Sequence, residues 1–125
     1  MAEPIDPLPD ASLVMVDTTS PVCEATESTI FLARRSTTGP IDLELQATDA
    51  FSGIDAAATS WSVRRTEGVA YRGPLSLLND TPPDLVVRVP SVEMPNYSGA
   101  WLQVTVTIRD IAGNRDSCTF TIRTP

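Results

Sequence analysis

The chain has 125 residues, enough for one domain, and 42% of them are hydrophobic, which argues against wholesale disorder. Its net charge of −7 argues against nucleic acid and anionic membrane surfaces as partners, because both need a basic patch that displaces counterions. All nine basic residues are arginine and there is no histidine, which removes Schiff-base lysines, Ser-His-Asp and Cys-His catalysis, and histidine metal sites.

Residues 1–16 read as a flexible proline-rich linker: Pro4, Pro7 and Pro9 alternate with acidic residues and cannot join a helix. The apolar stretch Ser12 to Val16 is too short for a signal-peptide core and has no basic region before it. No apolar run approaches the ~20 residues that cross a bilayer, so membrane insertion is not expected. An export signal, if the protein is secreted, is expected outside this chain.

The domain is expected over residues 17–125. Asp17 to Pro21 punctuates, and a less regular strand follows over about Val22 to Leu32. Period-2 alternation then dominates, the pattern of strands with one face buried and one in water. Ile41, Leu43, Leu45 and Ala47 alternate with Asp42, Glu44, Gln46 and Thr48. Trp61 and Val63 alternate with Ser60, Ser62 and Arg64. A short strand over Val69 to Arg72 precedes Leu85, Val87 and Val89. Leu102, Val104, Val106 and Ile108 form the next buried row, and Cys118, Phe120 and Ile122 the last. Prolines 40, 74, 82, 83, 90 and 95 fall between strands, and no segment carries a helical stripe. Six or seven short strands at this spacing predict an all-β antiparallel sandwich. The parity of Trp61 with Val63 points it into the core. Trp101 shares parity with Gln103 and Thr105, opposite the core face.

Two cysteines, Cys23 and Cys118, stand near the two ends of the domain. Zinc needs about four ligands, so a lone pair without histidine does not suit it. The pair reads as a disulfide closing almost the whole domain, or as two buried thiols. A disulfide implies an oxidising compartment, hence a secreted or cell-surface protein.

Three phrases occur in order: "VDTTSPVCE" from Val16, "ATDAFSGI" from Ala47 and "IRDIAGNRDSCTFTI" from Ile108. Together they resemble the bacterial Ig-like and hyalin-repeat (HYR-like) extracellular modules. Glu24 stands where hyalin repeats place a proline. The resemblance implies an Ig-like sandwich of about seven strands, a Cys23–Cys118 bridge, a place in a larger surface or secreted protein, and no catalytic activity. If the Ile41–Thr48 strand runs upward, the "DAFSG" and "DIAGN" turns share the upper pole. Both cysteines then lie a few residues below it.

The turns have two readings. In one, Gly53 and Gly113 supply positive φ while Asp49, Asp110 and Asn114 cap backbone amides. In the other, Asp17, Asp49, Asp110 and Asn114 converge on calcium, which takes six to eight oxygen ligands. Calcium is the only cofactor the residues suggest. No carboxylate pair stands out for catalysis, so an enzyme is not expected. The leading expectation is a non-catalytic spacer, adhesion or protein-interaction module. Its partners are expected to be neighbouring domains of the same polypeptide and a protein or glycan ligand of unspecified identity. The alternative is a carbohydrate-binding module of a secreted enzyme, with Tyr97 and Trp101 as its sugar-stacking face.

Overall fold

The computed structural model describes residues 18–125, without the side chain of Thr38; the expected linker and Asp17 lie outside the described residues. Eleven strands follow one another: β1 Val22–Ala25, β2 Thr29–Phe31, β3 Thr37–Thr38, β4 Ile41–Thr48, β5 Ser60–Arg65, β6 Ala70–Tyr71, β7 Ser76–Asn79, β8 Asp84–Val89, β9 Val92–Glu93, β10 Trp101–Arg109 and β11 Arg115–Arg123. Among the described residues, one 3₁₀ turn, Ala56–Ala58, interrupts them.

Two four-stranded sheets face each other, ordered β1-β4-β8-β7 and β2-β11-β10-β5, and the short strands form a third, β3-β9-β6. The protein is thus an all-β sandwich. Its paired strands are antiparallel except β2 and β11, which run parallel. The alternation in the sequence sets what each sheet buries. On β4, Leu43, Leu45 and Ala47 are buried while Asp42, Glu44, Gln46 and Thr48 stay in water. On β10, Leu102, Val104, Val106 and Ile108 are fully buried, and on β11 Cys118, Phe120 and Ile122 meet them. Each such aliphatic or aromatic side chain contributes about 1.5–3 kcal/mol by leaving water. Trp61 also points inward, packed against this core but only partly buried.

The expected strand over Val22 to Leu32 is divided. β1 pairs with β4 in one sheet and β2 with β11 in the other. The parity explains the division. Cys23 and Ala25 pack on the core at odd positions, Ile30 and Leu32 at even ones. One unbroken strand cannot point all four inward, so the chain crosses between sheets at residues 26–28. Backbone bonds from Thr26 N–H to Glu44 O (3.0 Å) and from Thr121 N–H to Ser28 O (2.7 Å) fix both sides of the crossing.

β7 was not visible in the alternation. Its pairing with β8 shifts register between Leu77 and Asn79, so Leu78 is turned out and 51% exposed. A bulge of this kind breaks the period-2 signal.

Candidate functional site

The register brings the two glycine-containing turns to one pole. Ile54 bridges Asp110, Ile111 N–H donates to Gly53 O (2.9 Å), and Asp55 N–H donates to Arg109 O (2.8 Å). Gly53 and Gly113 have φ of 85° and 97°, conformations that cost other residues strain. The Asp49 carboxylate caps its own turn. Its Oδ1 accepts from the amides of Phe51 (2.8 Å), Ser52 (3.0 Å) and Gly53 (3.3 Å). The Asp110 carboxylate accepts from Asn114 N–H (2.8 Å) through Oδ1 and from Asn114 Nδ2 (3.0 Å) through Oδ2. Asp110 is 1% exposed. Asp110→Ala therefore removes both bonds to the partly buried Asn114 from a buried position and should cost about 2 kcal/mol, read from urea melts.

Just below the pole, Cys23 on β1 and Cys118 on β11 form a disulfide with a Cα separation of 5.5 Å. It ties one sheet to the other. Asp116 Oδ2 accepts from Cys23 N–H (2.9 Å), so a third carboxylate also serves the backbone here.

Of the four residues expected to hold calcium, Asp17 lies outside the described residues. The other three meet in the manner just given: Asp110 and Asn114 bond one another, and Asp49 sits in the adjoining turn. Among the described residues, no three acidic or cysteine side chains gather in a way that could hold a metal ion. Asp49 Oδ2 is shielded from solvent without a hydrogen-bond partner, the one feature that favours a cation. With most of these oxygens committed to amides, millimolar calcium is expected to leave the melting temperature where a chelator leaves it. A rise of several degrees would restore the calcium reading.

Tyr97 and Trp101, the expected sugar-stacking pair, occupy different settings at the lower end. Tyr97 lies in the loop before β10, 45% exposed, and its hydroxyl donates to Glu67 O. Trp101 opens β10 on the outward face of its sheet, half-buried. Its backbone is held by Thr66, whose N–H donates to Trp101 O (3.0 Å) and whose Oγ1 accepts from Trp101 N–H (3.2 Å). The outward face above it is a hydroxyl ladder, with Thr105 against Thr119 and Thr107 against Ser117. Around Trp101 lies a shallow depression lined by Arg64, Trp101, Gln103, Thr121 and Arg123; Tyr97 does not line it. Parity alone places Trp101 on the outer face but does not show its neighbours. Their pairing could be found only once β5, β10 and β11 were known to be adjacent.

No family model matches the chain, and no curated protein does. Among solved structures, the chain is similar to a nucleoside hydrolase-related hypothetical protein from Saccharophagus degradans that is associated with carbohydrate metabolism. The identity is 18% and the TM-score 0.44, over 86% of this chain and 26% of that one. The chain thus spans about a quarter of that protein's length, and a likeness this distant says nothing about chemistry.

Proposed function

We propose that this chain is a non-catalytic Ig-like module of a larger extracellular protein, acting as a spacer between neighbouring domains of the same polypeptide. The observation that carries this reading is the course of the chain. β1 begins opposite the end of β4, at the pole of the two turns, and β11 ends opposite the start of β10, at the other. Entry and exit therefore lie at opposite ends of the sandwich, as a spacer requires. The Ig-like reading is supported by the two facing sheets and by a first strand divided between them. Secretion to an oxidising compartment is supported by the disulfide.

Small-angle scattering of the parent polypeptide with and without this module tests the reading. Nine residues of strand span about 30 Å, so deletion should shorten the maximum dimension by roughly that amount. An unchanged maximum dimension would mean that the module folds back on a neighbour, and the spacer reading would be lost.

A further inference from the structure

The two sheets present opposite charges to solvent. On the sheet of β1, β4, β8 and β7, the residues Glu24, Asp42, Glu44 and Asp84 share the outward face and are all exposed. Arg88, the arginine among them, is held by Asp42 through two bonds of 2.8 and 3.2 Å. That bond keeps the Asp42 carboxyl below its usual range and the guanidinium above its own. The other sheet is the reverse. The only acid in β2, β5, β10 and β11 is Asp116, whose carboxylate is turned to Cys23 N–H. Arg64, Arg109, Arg115 and Arg123 alternate with the core residues and so take the outward face. Four of the nine arginines of an acidic chain thus stand on an acid-free surface.

At the lower end of this face the arginines meet aromatic rings. β10 lies between β5 and β11. Trp101 on β10 is opposite Arg123 on β11, which is opposite Phe31 on β2. One row up, Arg64 on β5 is opposite Gln103, which is opposite Thr121. The Arg123 guanidinium sits over the Phe31 ring, 6.0 Å from its centroid, which steadies its position. Phe31 is 61% exposed. Among the described residues, neither Arg64 nor Arg123 has a carboxylate at ion-pair distance.

We propose that this face binds a carboxylate-bearing polysaccharide, with Trp101 stacking on a sugar ring and Arg64 and Arg123 each taking a carboxylate. Neighbouring strands lie about 4.8 Å apart, so the two arginines flank the tryptophan from backbones about 10 Å apart. A guanidinium matches a carboxylate bidentately, and Gln103 and Thr121 offer hydrogen bonds to the hydroxyls between. A polyuronate combines rings with one charge per ring. A denser polyanion such as nucleic acid would need more cations than two and would be repelled by a chain of net charge −7. The acidic face of a second copy offers charge complementarity, but its row of carboxylates supplies no ring for Trp101. The proposal stands apart from the spacer reading, which survives its failure.

Calorimetric titration with polygalacturonate, its methyl ester and dextran sulfate tests it. Polygalacturonate should bind, more weakly as salt rises, and the uncharged ester at least about tenfold more weakly, the loss of a charge-assisted bond. R64Q and R123Q should each weaken binding about tenfold; both side chains are exposed, so R64Q should leave the melting temperature unchanged and R123Q, which loses the Phe31 contact, should lower it by no more than a few degrees. Absence of binding to polygalacturonate, or equal affinity for the ester or for dextran sulfate, would overturn the proposal. So would sedimentation showing a self-associated protein that R64Q makes monomeric. Should the variants prove unstable, the ester comparison on the unaltered protein decides alone.

Discussion

Reduction of the Cys23–Cys118 bridge is expected to lower the unfolding free energy by about 4–5 kcal/mol. The bond closes a loop of 95 positions, and in the chain-entropy account the cost of leaving such a loop open has that size. For a domain of this length the melting temperature should fall by about 15–20 °C. The double variant Cys23→Ala/Cys118→Ala should match the reduced protein, because Cys118 is buried and alanine fills most of its place. Urea melts under oxidising and reducing conditions measure both, and the slope should steepen on reduction as the unfolded chain expands. A shift below about 5 °C would mean that the denatured chain stays compact without the bridge, and the loop-entropy account would not describe this domain.

The second large effect is in the core. Phe120 is fully buried on β11, opposite Val104 of β10, and Phe120→Ala should cost about 3–5 kcal/mol. Trp61 faces the same core from β5, opposite Val106, but is only partly buried. Trp61→Ala should therefore cost less than Phe120→Ala, about 2–3 kcal/mol, in spite of the larger side chain. Trp101→Ala, on the outward face, should cost less again. Equilibrium melts of the three variants give the order directly, and a Trp101→Ala cost above that of Trp61→Ala would invert the assignment of faces.

Much of this architecture could be read from period-2 alternation. The expected Ile41–Thr48 strand is β4 to the residue, and the long buried rows of β8, β10 and β11 fell where their side chains alternate. Those strands are long enough for the pattern to repeat three or four times. The two-residue strands β3 and β9 carry no such signal, and the bulge at Leu77 erased that of β7. Among the described residues the two facing sheets hold eight strands, in keeping with the about seven expected. The crossing from β1 to β2 was written in the parity of Cys23 and Ala25 against Ile30 and Leu32, although it read as mere irregularity. The turns were legible for a different reason. Asp49 and Asp110 cap amides within a few residues of themselves and Gly53 and Gly113 supply positive φ, so their roles are local and need no tertiary knowledge. The face around Trp101 was not legible, since Arg64 and Arg123 lie 59 positions apart in sequence and meet only through the strand between them.

The position of the disulfide decides how the module would carry tension. If the domain is the spacer proposed above, a pull applied at its two poles runs along the sandwich. The force passes from the first strand through the sulfurs of Cys23 and Cys118 directly into the lower half of β11, bypassing everything between. The 95 positions enclosed by the bond would otherwise add roughly 300 Å of slack when unravelled. With the bridge closed, only the short segments outside it can pay out. In that role the oxidised domain would be a nearly inextensible link and the reduced one a shock absorber. Stretching single molecules before and after adding reductant would show the difference as a change in contour length, with an equal gain in both conditions ruling out the bypass.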